Sequence, residues 1–118
     1  MTMLGWTRVV EESGLEPGRG RLFDVRGVPV AVFRTARRVH ALGAVCPHEG
    51  NLLSDCLNDD GTALCPAHGW AFRLDDGACT VFRTSRVPVY PVRVVEGHVW
   101  VRVRAMRSAL RDLFRKPS

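Results

Sequence analysis

Apolar residues in this chain come in short runs, and nearly every run is closed by Gly, Pro or Asp. Runs of this kind read as β-strands, and their positions predict strands over residues 6–10, 21–25, 28–33, 39–45, 62–64, 71–74, 79–82, 87–95 and 98–103. The breaks between them carry turn chemistry: the Pro17-Gly18-Arg19-Gly20 cluster, Arg26-Gly27, Asn58-Asp59-Asp60-Gly61, Asp75-Asp76-Gly77 and Glu96-Gly97. Strands this short at this spacing argue for an antiparallel sandwich or barrel. After residue 103 the period changes. Met106, Ala109, Leu110, Leu113 and Phe114 fall at helical spacing, with Arg107 and Arg111 on the other side and Arg115 and Lys116 in the last turn.

The chain has 118 residues, of which 46% are hydrophobic. That suits one domain with a core large enough to fold without disulfides. The first residues show no apolar secretion segment, and no stretch has the roughly 18 apolar residues of a membrane span. A cytoplasmic protein with reduced thiols is expected, with no membrane role. The net charge is +5, but residues 1–101 balance and the excess falls in 102–118. A nucleic-acid binder would need basic residues interleaved with aromatics over a face of the fold, so none is expected.

Candidate chemistry concentrates in two Cys/His pairs, Cys46-Pro47-His48 and Cys65-Pro66-Ala67-His68, with sixteen residues between His48 and Cys65. Thiolate and imidazole are soft to borderline donors, and four of them arranged two and two can close a metal site. Each pair follows a predicted strand and is followed by a glycine, Gly50 or Gly69, which lets backbone come close to whatever is bound. A mononuclear zinc would accept the same four donors. Cys56 and Cys79 read as small buried thiols, and His40 and His98 as ordinary histidines rather than ligands. No catalytic triad, phosphate loop or dinucleotide fingerprint is present.

The spacing C-x-H, a gap, then C-x-x-H resembles the signature of the Rieske iron–sulfur family. The resemblance is sharp over 46–70 and extends over 6–103 only as a strand pattern. It implies an all-β, Rieske-like antiparallel β-sandwich with a small cluster-binding subdomain and a C-terminal α-helix. The domain would span 1–103, with the cluster-binding segment at 45–72 and the basic helix at 104–118. It also implies one 2Fe-2S cluster, with Cys46 and Cys65 on one iron and His48 and His68 on the other. In high-potential relatives two further cysteines join the cluster loops; Asn51 and Ala67 stand at those positions, so that disulfide cannot form. Trp70 and Phe72 stand where those relatives have a Ser and a Tyr hydroxyl that hydrogen-bond the cluster. Fewer donors imply a potential at the low end of the family's range, about −150 mV.

A cluster whose protein ligands are all filled offers no open site to substrate, so the resemblance implies a one-electron carrier and not an enzyme. It is similar to the ferredoxins that take electrons from a flavin-dependent reductase and pass them to a terminal oxygenase. The small subunit that works with a nitrite reductase large subunit is a second expectation, and a non-redox subunit with structural zinc a third. A monomer or weak homo-oligomer is expected, with the basic helix read either as a docking element for an acidic partner or as a solvated cap on the domain.

Overall fold

The computed structural model describes residues 5–47, 50–53, 57–58, 60–66, 69–82 and 84–103. The predicted helix beyond residue 103 lies outside them. Within them the chain is almost wholly strand and turn: β1 (Trp6–Glu11), a single 3-10 turn at Glu12–Gly14, β2 (Arg19–Val25), β3 (Val28–Arg34), β4 (Val39–Gly43), β5 (Ala63–Cys65), β6 (Trp70–Phe72), β7 (Val89–Tyr90), β8 (Val92–Val95) and β9 (His98–Arg102). These pair antiparallel into a three-stranded sheet β1-β9-β8, a four-stranded sheet β2-β3-β4-β7 and the small hairpin β5-β6.

The two predicted tight turns close two hairpins. Arg26 and Gly27 have φ of 55° and 83°, and Glu96 and Gly97 have 52° and 79°. Two successive left-handed residues make the turn whose twist matches a right-handed strand pair. Thus Val25 lies across from Val28, and Val95 from His98. At the first turn the Asp24 carboxylate also accepts the Gly27 N–H at 2.7 Å.

The predicted strand 87–95 is in fact two strands in different sheets. Val89 pairs with Leu42 of β4, whereas Val92 pairs with Val101 of β9. Pro91 lies between them. It has no N–H for a ladder, while its carbonyl accepts the Arg102 N–H at 3.0 Å, so the chain steps from one sheet to the other there. The predicted strand 79–82 does not form. Cys79 makes one bridge to Phe72 and Ala78 one to Arg86. The chain then swings out, leaving Val81 and Phe82 exposed, and turns where the Ser85 N–H meets the Phe82 carbonyl at 2.9 Å.

Strand alternation gives the four-stranded sheet two apolar faces. Val30, Val32, Val39 and Ala41 pack with Val99 and Val101 of the three-stranded sheet. Ala31, Phe33 and Leu42 face the other way and pack with Cys46, Cys65, Phe72 and Cys79. The β2-β3-β4-β7 sheet is therefore a middle layer, with the β1-β9-β8 sheet on one side and the unit carrying the Cys/His pairs on the other.

Candidate metal centre

That unit consists of two hairpin loops built alike. In the first, Val45 bridges Leu52 and the Cys46 N–H donates to the Asn51 carbonyl at 2.7 Å. In the second, Leu64 pairs with Ala71 and Cys65 with Trp70. In both, the N–H of the glycine four residues on returns to the cysteine carbonyl: Gly50 to Cys46 at 2.9 Å, Gly69 to Cys65 at 3.0 Å. Both glycines are left-handed, with φ of 76° and 70°. A Cβ built on either would touch nothing within 4 Å, so glycine is needed here for backbone conformation and not for space. The repeat Cys-Pro-x-x-Gly thus closes twice with the same hydrogen bond and the same glycine conformation.

Local hydrogen bonds aim the second loop. Asp60 Oδ1 accepts from the Thr62 hydroxyl at 2.6 Å and from its N–H at 3.1 Å, and Asn58 Nδ2 donates to the same hydroxyl at 3.0 Å. The Thr62 hydroxyl bond holds the Asp60 carboxyl below its ordinary range. This knot sets the start of β5 and hence the position of Cys65. Beyond β6, Arg73 forks onto Asp75 at 3.2 and 3.0 Å, fixing the turn that leads to Cys79.

Cys46 and Cys65 are each 1% exposed and belong to one packed cluster over Phe33, Leu42 and Phe72. The structure therefore brings two of the four predicted donors to a shared wall, as thiols. His48 and His68 lie outside the described residues, as does Cys56. Cys79 is buried in the same cluster, and its Sγ accepts the Phe82 N–H at 3.5 Å. His98 is on the far sheet, with Nε2 3.9 Å from Glu11. His40 is half-buried on β4; burial lowers its pKa, the Arg38 charge adds to this, and Asp75 opposes it.

Two features of the surroundings escape a linear reading. Val45, Leu52, Val81 and Phe82 are all exposed, and the Phe82 ring lies 4.7 Å from Trp70 at 43°, giving the loops an apolar rim. Val81 and Phe82 were hidden in a run that reads as strand. Charge is also segregated. Segment 45–72 holds Glu49, Asp55, Asp59 and Asp60 and no Lys or Arg, which a balance taken over residues 1–101 conceals.

Residues 5–102 match the family model of the Rieske-like 2Fe-2S domain. The chain belongs to that family. It is 38% identical over 77 residues to the anthranilate 1,2-dioxygenase ferredoxin subunit of Burkholderia cepacia, covering 64% of this chain and 70% of that one. The ferredoxin of carbazole 1,9a-dioxygenase from Nocardioides aromaticivorans IC177 superposes with a TM-score of 0.75 at 30% identity, over 81% of this chain and 95% of that one. A Mycobacterium tuberculosis protein assigned as an NADH-dependent nitrite reductase small subunit gives 0.73 at 35% identity, over 85% and 96%. Cholesterol 7-desaturase of Xenopus laevis is 36% identical over 84 residues, and the chain spans 17% of its length.

These relatives bear out the Rieske-like β-sandwich. The family's cofactor is a 2Fe-2S cluster, and the chain's donors suit it. Two buried thiols in matched loops would supply the soft pair that one iron needs. Pro47 and Pro66 stiffen each loop beside its thiol. Phe72, 0% exposed in the wall behind the thiols, brings no hydroxyl to that wall. Among the described residues no helix is long and apolar enough to cross a membrane.

Proposed function

We propose that the chain is a cytoplasmic one-electron carrier, taking electrons from a flavin-dependent reductase and delivering them to a terminal oxygenase. Cys46 and Cys65 bind one iron of its cluster and His48 and His68 the other, within a domain of residues 1–103 whose cluster-binding segment is 45–72. The matched loops carry this reading: they present two buried thiols together, and each loop has one of the histidines in its sequence. When bound, the cluster supplies reversible one-electron chemistry. The chain's own part is to exclude water from the sulfur side through Phe33, Leu42 and Phe72, and to offer a rim where a partner can dock.

The rim side chains are apolar and the sequence of segment 45–72 is acidic, so the electron partner should present an apolar patch together with Lys or Arg. The likeness to the mycobacterial protein over nearly all of that chain favours one second reading, the small subunit of a nitrite reductase. No catalytic residue is assigned in either case.

Iron and acid-labile sulfide in anaerobically purified protein, with spectra before and after dithionite, test the proposal. Two irons and two sulfides per chain, with colour that bleaches and returns in air, are expected. One zinc in a colourless protein, persisting after reconstitution, would reduce the four residues to structural ligands. Titration should place the potential near about −150 mV; a clearly positive value would mean that donors other than the missing hydroxyls set it.

A further inference from the structure

The outer face of the β1-β9-β8 sheet carries side chains for which electron transfer has no use. Alternation turns Val99 and Val101 of β9 into the valine core, so His98, Trp100 and Arg102 point outward. Register places Arg8 of β1 and Arg93 of β8 on either side of Trp100, and Trp6 beside Arg102. The Arg93 guanidinium reaches over β9 to lie 5.0 Å from the centre of the Trp6 ring, a cation–π contact. All three arginines are exposed and both tryptophans half-buried. The carboxylates near this face, Glu11 beside His98 and Glu96 in the hairpin turn, lie towards one end of it.

This face is on the opposite side of the middle sheet from the thiols. Its charge is also opposite. The loop segment has four carboxylates and no Lys or Arg, whereas the face carries Arg8, Arg93 and Arg102, all exposed.

We infer that the outer face of the β1-β9-β8 sheet docks a carboxylate-rich protein surface, holding the chain by the side away from its thiols. Guanidinium forks pair with carboxylates two bonds at a time, and Arg and Trp are the residues that protein interfaces concentrate at their centres. A nucleic acid fits less well. Its bases need open aromatic faces, and Trp6 already has Arg93 over its ring. The inference does not depend on what the thiols bind.

The test uses the full holoprotein and poly-L-glutamate as a carboxylate-rich probe. Amide resonances of β1, β8 and β9 should shift on titration. Arg8→Gln/Arg93→Gln/Arg102→Gln should weaken binding roughly tenfold, and the triple Lys replacement, which keeps the charge but not the forks, should restore only part of it. A control with Arg26, Arg37 and Arg38 changed to Gln should bind like the parent. Should the face variant melt early, Arg8→Gln alone, at an exposed position, must still weaken binding. Shifts confined to 104–118, or equal losses in face and control variants, would overturn the inference. Tighter binding of a single-stranded oligodeoxynucleotide or phosphatidylserine vesicles at the same ionic strength would also overturn it.

Discussion

Val32 and Phe33 are neighbours in β3, yet they lean into different cores. Val32 meets Val99 and Val101 among valines delivered by long ladders, one of which carries a bulge between Arg8 and Val10. Phe33 meets Cys46, Cys65 and Phe72, delivered by three-residue strands and loops. On the valine side, periodicity and β-branched side chains are enough to define the packing. On the thiol side little regular structure exists, and short strands and a few loop hydrogen bonds hold the cysteines. The first side should fold on its own terms, and the second should depend on the bound group.

Cys65→Ser gives the largest separation of the two. It should abolish the visible spectrum and strip hydrogen-exchange protection from residues 57–82, while β1, β3, β8 and β9 keep theirs. Uniform loss of protection would mean that the two cores form a single cooperative unit. Next comes the adjacent pair. Phe33→Ala should cost about 3–5 kcal/mol and speed cluster loss on chelation. Val32→Ala should cost about 1–2 kcal/mol, lowering the melting temperature without altering the rate of cluster loss. Similar chelation kinetics in both would contradict the division.

Glu96→Asn acts on the valine side only. Asn accepts the left-handed conformation that Glu96 now adopts, so a gain of up to about 0.5 kcal/mol in denaturant melts is expected, with the spectrum unchanged. The smallest effect belongs to His40, on the thiol side of the middle sheet. Burial, then Arg38, lowers its pKa from 6.5. The unfolded chain therefore takes up a proton at a higher pH than the folded one. Its contribution to stability is complete above pH 6.5 and is lost as pH falls through the folded-state value. His40→Gln should flatten that part of the stability–pH curve; an unchanged slope would place the titration elsewhere.

The same contrast decides what could be read from the sequence. The valine side was legible because most of its strands keep period two, β1 with its bulge excepted, and its hairpins close on Arg26-Gly27 and Glu96-Gly97. The Cys/His pairs stood out because few other arrangements call for Cys and His at that spacing, and the structure packs their cysteines in one cluster. Residues 87–95 read as one strand because alternation continues through Pro91; only the missing N–H marks the change of sheet, and its effect depends on two partners distant in sequence. Residues 79–82 read as strand because Val81 and Phe82 are apolar, although exposure at the rim explains them better. The Arg/Trp face was invisible because register, not spacing, brings Trp6, Arg8, Arg93 and Trp100 together.

Because β1 pairs with β9, Trp6 must wait for Arg102. On a ribosome both Cys/His loops, whose last paired residue is Phe72, are made before the strand that gives the first one a place. At ~5–20 residues per second the interval is a few seconds, long compared with hairpin formation in ~1–10 μs. Throughout it the valine face of β3 and β4 lacks its cover. The loops thus become available to accept their metal before the opposite side of the molecule has closed. The order of strands in the outer sheet is also an order of events in time.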